Sequence, residues 1–206
     1  MDVSRPHRSV VPSVDGDVLA VLAGTTRALT GREVARLSGR PSHAGTLHAL
    51  NRLVEHGLVD RTEAGRALLY TLNREHVAAP AVELLSGMRS EFMRRLVAAV
   101  DAWVVPPVHL SLFGSAARAD GDAASDIDVF VIRPRAVGAE DERWRAQLED
   151  LAMQIRRWTG NHSSLMEVGE QELPRLGRSR RDTVADLRTQ AVTLVGPPAA
   201  DLLKTR

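Results

Sequence analysis

The sequence predicts two structural regions: a mainly helical N-terminal region that ends in a hairpin, and a C-terminal α/β domain that contains a mixed sheet. In the N-terminal third, apolar residues recur at helical spacing and precede two β-prone runs around a glycine turn. After the pair Pro106-Pro107, short apolar runs alternate with helical segments, which is the α/β pattern. We therefore predict one domain at residues 1–80, connecting helices at 81–107 and a second domain at 108–206.

Length and composition exclude several classes of protein. The chain has 206 residues, of which 44% are hydrophobic and 26% charged, as in ordinary globular proteins. It has no cysteine, so disulfides and thiolate metal sites are excluded, and its net charge of +1 is no strong argument for nucleic acid. No apolar run approaches the roughly 18 residues of a membrane span. The N-terminus lacks the apolar segment of a secretory signal, so we expect a cytoplasmic protein.

The N-terminal elements follow in order. Val14–Ala23 has helical apolar spacing, and "TGRE" is a capping box in which Thr30 caps a second helix and Glu33 reaches back. A third helix begins at Ser42. The segment "LVDRTEAGRALLYTLN" then predicts a hairpin.

Three helices followed by a hairpin resemble the winged helix-turn-helix domains of bacterial regulators, above all in "LHALNRLVEHGLVDR". The resemblance implies that the third helix enters the major groove of duplex DNA and that the hairpin wing touches the backbone. On a helical wheel, one face of the third helix is apolar at Leu47, Leu50 and Val54. The opposite face and the wing supply the candidate DNA contacts Ser42, Gly45, Ala49, Arg52, Arg61 and Arg66. A role as a protein-docking or dimerisation module stays open, because the basic excess is small.

In the second region, an amphipathic helix carries Phe92, Leu96 and Val100 and ends at the proline pair. Beyond it we predict strands at 108–113, 127–132, 163–168 and 191–195, with helices starting at Gly114 and spanning 140–159, 170–177 and 181–190.

Two aspartates lie inside the strand-like stretch "LSLFGSAARADGDAASDIDVFVI". Alternate strand residues point to the same side, so Asp126 and Asp128 present adjacent carboxylates while Ile127 points into the core. Such a pair repels, and Mg²⁺ relieves the repulsion because it prefers carboxylate and phosphate oxygens. Gly114 and Ser115 follow the preceding strand and open a helix, where free N–H groups favour an anion. The stretch therefore suits a metal-bound nucleoside triphosphate.

The same stretch resembles the G-S…D-x-D core of the DNA polymerase β-like nucleotidyltransferase superfamily, in particular its minimal, kanamycin-nucleotidyltransferase-like branch. The resemblance implies that Gly114, Ser115, Arg118 and Ser125 bind the nucleoside triphosphate, and that Asp126 and Asp128 hold two Mg²⁺ ions. A nucleoside monophosphate would then pass to an acceptor while pyrophosphate leaves. Arg118 has a second interpretation, as a surface arginine paired with Asp120 or Asp122.

The family usually has a third carboxylate on the next strand, which here reads "HSSLMEV". If this strand pairs with its neighbour in one register, Glu167 is the third carboxylate and a catalytic residue. In the other register, the position of the third carboxylate is occupied by Ser164, and Glu167 faces the opposite side of the sheet. A serine there would weaken metal binding, and His162 is an alternative base.

These observations leave three functions open. The first is an active nucleotidyltransferase whose acceptor is a protein hydroxyl, a tRNA end or a small molecule such as an aminoglycoside. The second is a transcription regulator whose impaired transferase domain senses nucleotide. The third is an antitoxin-type partner of a toxin. A regulator that binds a palindrome would favour a homodimer.

Overall fold

The computed structural model describes residues 1–39, 42–118, 121–122 and 124–204, which form a mixed α/β structure with two sheets. The chain divides into an N-terminal unit, Arg5–Arg89, and a C-terminal unit, Ser90–Arg206 together with Met1–Ser4. The division lies inside the segment 81–107, so most of the amphipathic helix before Pro106 belongs to the C-terminal unit. In the described part of the chain, no helix combines the length and the apolar character that crossing a bilayer requires.

The N-terminal unit contains the helices and the hairpin predicted for it. A 3-10 turn at Pro6–Ser9 precedes α1 (Val14–Ala23), β1 (Leu29–Thr30), α2 (Gly31–Ser38), α3 (His43–Glu55), β2 (Val59–Ala64), β3 (Ala67–Leu72) and α4 (Ala79–Ser86). The three strands form an antiparallel sheet in the order β1-β3-β2.

Local sequence explains two of these boundaries. The Thr30 hydroxyl accepts a hydrogen bond from the backbone of Glu33 at 3.3 Å, and the Glu33 carboxylate accepts one from the Thr30 backbone at 2.8 Å. This reciprocal cap starts α2, and such a cap contributes about 1 kcal/mol. The hairpin turns in two residues between Ala64 and Ala67, where Gly65 has a φ of 61° that the tight turn requires.

The C-terminal unit is built on a four-stranded sheet. Its elements are α5 (Met88–Asp101), β4 (His109–Leu112), α6 (Gly114–Arg118), β5 (Ile127–Arg133), α7 (Glu142–Thr159), β6 (Ser163–Gly169), a 3-10 turn at Glu170–Glu172, α8 (Leu173–Ser179), α9 (Arg181–Gln190), β7 (Val192–Val195) and α10 (Ala199–Leu202). The strand order is β6-β5-β4-β7, in which β6 runs parallel to β5 and the other neighbours are antiparallel. The helix α7 forms the crossover that the parallel pair needs.

Helices cover both faces of this sheet, and β5 is buried between them. Its odd-numbered residues Ile127, Val129 and Val131 share a core with α5 and α7. Phe130 and Ile132 join a second core with α8, α9 and α10. Because alternate residues face opposite sides, Asp128 lies on the face of α8 and α9.

A buried histidine makes the stability of the C-terminal unit depend on pH. His109 is fully buried; its Nδ1 lies 2.7 Å from the Pro197 carbonyl oxygen and its Nε2 lies 2.9 Å from the Ser111 hydroxyl. Burial lowers the pKa of His109 from 6.5. Between this lowered pKa and 6.5, the unfolded chain therefore binds more protons than the folded chain does.

We expect the free energy of unfolding to fall as the pH drops through this window, by up to about 1.4 kcal/mol per pH unit from this group. Urea denaturation at a series of pH values from about 7.5 down to about 5.5 measures this decrease in the free energy of unfolding. His109→Gln should flatten the slope, while the exposed His48→Gln should not. Equal slopes in wild type and His109→Gln would assign the pH dependence to other groups.

Candidate functional site

The two predicted aspartates lie where β5 begins. Asp126 immediately precedes the strand and is exposed, whereas Asp128 is its second residue and is half-buried. Burial raises the pKa of the Asp128 carboxyl, and the negative charge of Asp126 raises it further. A hydrogen bond from Ser164 and the positive charge of Arg118 act in the opposite direction. The side chains of Asp126, Ser164 and Arg118 therefore all act on the Asp128 carboxylate.

Gly114 brings the turn after β4 against the Asp128 carboxylate. Its φ is 62°, and a Cβ at this position would lie 2.3 Å from Asp128 Oδ2. The adjacent backbone fixes the approach, because the Phe113 N–H donates to the Asp128 carbonyl oxygen at 3.1 Å. Only glycine combines this backbone conformation with this distance.

Ser115, Ser125 and Asp126 line one narrow pocket, together with Gly121 and Asp122. The Ser125 hydroxyl donates to Asp122 Oδ1 at 2.8 Å and accepts from the Asp122 backbone at 3.0 Å. The predicted nucleotide contact Ser125 is thus engaged inside the loop that leads into Asp126. Its side chain shapes that loop.

Arg118 ends α6 on the same side of the sheet as Asp128. The guanidinium is exposed, donates to Gln190 Oε1 at 3.4 Å, and holds a positive charge near the Asp128 carboxylate. Of the two acids considered as surface partners, Asp120 lies outside the described residues, and Asp122 accepts from the Ala124 backbone and the Ser125 hydroxyl. The position suits neutralisation of a phosphate charge.

The register of β6 decides between the two candidates for the third acid. Asp128 pairs with Ser164, and Glu167 pairs with Val131, three residues further along and on the opposite face. There Glu167 accepts from Arg133 Nε at 2.6 Å, and Arg133 is only 3% exposed. The prediction that Glu167 is a catalytic residue is therefore wrong, because its carboxylate serves a buried arginine away from the site.

The donor set fits a divalent cation, but with fewer ligands than the resemblance implied. Two carboxylates that repel each other and the Ser164 hydroxyl could hold one Mg²⁺ whose other ligands are water and phosphate oxygens. Among residues 1–39, 42–118, 121–122 and 124–204, no three histidine, cysteine or acidic side chains lie close enough to hold a metal. The predicted second ion therefore has no third carboxylate in the described part of the site.

The exposed face of α3 differs from the predicted one. Ala49 is fully buried, together with Thr46, Leu50 and Leu53, so its assignment as a DNA contact is wrong. The reason is that the helix packs through a face centred on residues 46, 50 and 53, and Leu47 stays partly exposed. The residues that point outward at helical spacing are Ala44, His48, Asn51 and Glu55, none of which the sequence reasoning selected.

The other predicted DNA contacts have mixed positions. Ser42 is exposed and accepts from the Gly45 backbone at 3.2 Å as the cap of α3, and Gly45 is half-buried. Arg52 is exposed but donates to the Asp15 carboxylate at 2.6 Å. Arg61 and Arg66 are exposed on the hairpin. The two hairpin arginines are thus the predicted contacts whose position agrees best with phosphate binding.

Comparison with known proteins yields two solved structures. Both belong to toxin–antitoxin complexes. One is a complex with AMP-PNP, which is 16% identical, with a TM-score of 0.39 over 54% of this chain and 80% of the other. The second is a mutant of the MntA-HpeT complex, which is 17% identical, with a TM-score of 0.39 over 54% of this chain and 78% of the other. No protein-family model and no curated protein matches the sequence. The function therefore has to be inferred from the side chains of the site itself.

Proposed function

We propose that the C-terminal unit is a Mg²⁺-dependent nucleotidyltransferase. The observation that carries this proposal is the approach of the Gly114 turn to the Asp128 carboxylate, beside the second carboxylate of Asp126. Asp126 and Asp128 would hold the cation, and Gly114 and Ser115 would lie against the phosphates of a nucleoside triphosphate. Arg118, whose charge already reaches Asp128, would offset phosphate charge.

The reaction is an in-line displacement at the α-phosphorus. The hydroxyl oxygen of the acceptor forms a bond to this phosphorus, and the bond from phosphorus to the oxygen bridging the β-phosphate breaks. Pyrophosphate leaves with that electron pair, and the hydroxyl proton passes to water. When bound, the cation would neutralise charge on the phosphate oxygens. The task of this chain is to align the two substrates and to hold the carboxylates in place.

Transfer of label tests the proposal. The full-length protein is incubated with each of the four nucleoside triphosphates labelled at the α-phosphate, with Mg²⁺ or EDTA, and with candidate acceptors. We expect Mg²⁺-dependent covalent labelling of an acceptor with release of pyrophosphate. No Mg²⁺-dependent nucleotide binding by calorimetry would contradict the site, and binding without transfer would favour the second candidate below.

The second candidate is a nucleotide sensor that binds without turnover, and the observation that favours it is Ser164. This serine pairs with Asp128 at the position where a third carboxylate would stand. If the missing acid limits turnover, Ser164→Asp should increase Mg²⁺-dependent transfer by about tenfold or more, because a third carboxylate tightens the metal site.

The neutral variant Ser164→Asn is the matched control for Ser164→Asp, since it changes size without adding charge. Transfer is measured from initial rates at saturating nucleotide. Equal transfer rates in wild type and Ser164→Asp would show that a third acid is not limiting, and the sensor candidate would lose its support.

For the N-terminal unit, we propose duplex DNA binding by a winged helix-turn-helix. The order of α1, β1, α2, α3 and the β2-β3 hairpin supports this interpretation. Arg32, His43 and Arg66 line one depression between α2, α3 and the hairpin, and no acidic residue lines it. Cationic side chains in such a position suit phosphate contacts, while His48 and Asn51 lie on the outward face of α3.

We expect Arg61→Glu combined with Arg66→Glu to weaken binding of a labelled 20-base-pair duplex by about tenfold or more and to reduce the salt dependence of affinity. Fluorescence anisotropy of the full chain at several salt concentrations measures both. Arg36→Glu, an exposed arginine elsewhere on α2, is the control. If wild type shows no salt-sensitive duplex binding at low ionic strength, the unit is an interaction module.

A further inference from the structure

Asn161 is a buried polar residue in the short loop between α7 and β6. It follows the end of α7, where Gly160 has a φ of 77° and turns the chain towards β6. The residue is only 5% exposed. A buried amide is costly unless its donors and its acceptor are satisfied, so the hydrogen bonds of this side chain show which groups it holds in place.

The Asn161 side chain contacts the peptide that precedes Asp126. Its Nδ2 donates to the Ser125 carbonyl oxygen at 2.9 Å. That carbonyl belongs to the peptide bond whose nitrogen is the backbone nitrogen of Asp126. Because a peptide unit is planar, the hydrogen bond restrains the direction in which the chain enters Asp126.

The peptide that follows Asp126 is held by the same loop. The Ile127 N–H donates to the His162 carbonyl oxygen at 2.9 Å, and the regular pairing of β5 with β6 begins at Ile127 and Ser163. Asp126 thus precedes the paired part of the strand and lies between two peptides that are each hydrogen-bonded to the loop. Of these two bonds, the one from Asn161 comes from a side chain and therefore depends on the residue type.

The surroundings of Asn161 determine which way its amide points. Its Oδ1 accepts from the Met1 amine nitrogen, which is a donor, while the Ser125 carbonyl oxygen can only accept. Both neighbours therefore require the amide nitrogen to face Ser125. The Asn161 backbone N–H donates to the Thr159 hydroxyl at 3.1 Å, and this hydroxyl donates to the Ile155 carbonyl oxygen at 2.7 Å. The loop residue is thus tied to the end of α7.

A restrained Asp126 matters because the two carboxylates of the candidate site carry like charges. Asp126 is exposed, so without a restraint on its backbone the repulsion would turn its carboxylate towards solvent and away from Asp128. A cation would then have to order this ligand at the moment of binding. Ligands that are held in place beforehand avoid that loss of affinity.

We propose that Asn161 is a positioning residue, which holds the peptide between Ser125 and Asp126 so that the Asp126 carboxylate stays beside Asp128 and can bind the cation; this inference rests on the proposed nucleotidyltransferase function. Asn161 is buried and its amide is engaged on both sides, so it acts on the cation through Asp126. Groups that orient metal ligands contribute about 10- to 100-fold to metal affinity.

Binding of Mn²⁺ to the full-length protein without nucleotide tests this role. Mn²⁺ is a paramagnetic substitute for Mg²⁺, and the electron paramagnetic resonance signal of the free ion gives the Kd. Asn161→Ala removes the donor, and Asn161→Asp keeps the shape but places an oxygen against the Ser125 carbonyl. We expect both variants to raise the Kd for Mn²⁺ about tenfold. The added negative charge alone would lower the Kd of Asn161→Asp, so a rise in this variant identifies lost positioning.

Ser111→Ala is the matched control, because it also removes a buried hydrogen-bonding group of the same unit. Ser111 is fully buried, and its hydroxyl lies 2.9 Å from His109 Nε2. Its substitution should lower the unfolding temperature, as the Asn161 variants do, but leave the Kd for Mn²⁺ unchanged. Transfer rates add a second measurement: in the Asn161 variants the Mg²⁺ concentration that gives half the maximal rate should rise about tenfold, while the rate at saturating Mg²⁺ stays near that of wild type.

The outcomes separate this inference from the proposed function. A folded Asn161 variant with the wild-type Kd for Mn²⁺, while Asp126→Asn still loses binding, would overturn the positioning role and leave the proposed function standing. An equal rise of the Kd in Ser111→Ala would assign the effect to lost stability and overturn the role as well. A Kd that depends on Asn161, without label transfer to any acceptor, would support the role and contradict the transferase. A wild type that binds no Mn²⁺ would contradict both.

Discussion

Replacing Asp128 by Asn is expected to abolish Mg²⁺-dependent binding of a nucleoside triphosphate, and Asp126→Asn is expected to do the same. Substitution of a residue that only hydrogen-bonds to a metal ligand already lowers metal affinity by about 10- to 100-fold. Removal of one of two carboxylate ligands should therefore exceed about 100-fold. Isothermal titration calorimetry of each triphosphate, with Mg²⁺ and with EDTA, measures the loss.

The same substitutions should not unfold the protein. Burial and the charge of Asp126 both disfavour the ionised Asp128 carboxyl, as its raised pKa indicates. At neutral pH and without metal, Asp128→Asn removes that unfavourable charge, so the unfolding temperature in EDTA should stay or rise. Asp101→Asn, an exposed aspartate in the same unit, is the control. Unchanged Mg²⁺-dependent affinity in both site variants would contradict the metal assignment.

Gly114→Ala is expected to have the second large effect, for steric reasons. The new Cβ would lie 2.3 Å from Asp128 Oδ2, which is far too close for a carbon and an oxygen that are not bonded, so the carboxylate or the turn has to move. The φ of 62° adds backbone strain, which costs about 1–3 kcal/mol for a residue other than glycine. We expect Mg²⁺-dependent nucleotide affinity to be lost together with that amount of stability.

The control variant Gly160→Ala separates the effect of the steric clash from the effect of the backbone strain. Gly160 has a φ of 77°, lies in the same unit, and has no atom within 4 Å of an added Cβ. The substitution should therefore reproduce the loss of stability, measured by urea denaturation, while nucleotide affinity stays unchanged. A Gly114→Ala variant that binds nucleotide as wild type does would show that the turn is not part of the site.

The sequence predicted those features of the site that depend on short spacings. Asp126 and Asp128 are two residues apart at the start of β5, and Gly114 follows the end of β4 after one intervening residue. Strand geometry and turn chemistry alone bring these residues together. The residue at the position of the third acid depends on how β6 pairs with β5, and the 18-residue helix α7 separates these strands in the sequence. A slip of one residue in this pairing would turn Ser164 away from the face of Asp128 and bring Glu167 onto that face.

The exposed face of α3 could not be predicted because apolar residues surround much of that helix. Leu47, Leu50, Leu53 and Val54 span more than one face, and a small residue such as Ala49 fits either side. Tertiary packing decided the outcome.

The pairing of Arg133 with Glu167 constrains how this chain could change over generations. Arg133 is 3% exposed and donates to Glu167 at 2.6 Å and to the Val137 carbonyl oxygen. Sliding β6 by one residue would turn an acid toward Asp128 but leave a buried guanidinium without its partner, at a cost of about 3–5 kcal/mol. A lineage that needs a third acid would therefore gain it by a point substitution at Ser164, and a lineage that lost such an acid could do so without disturbing the sheet.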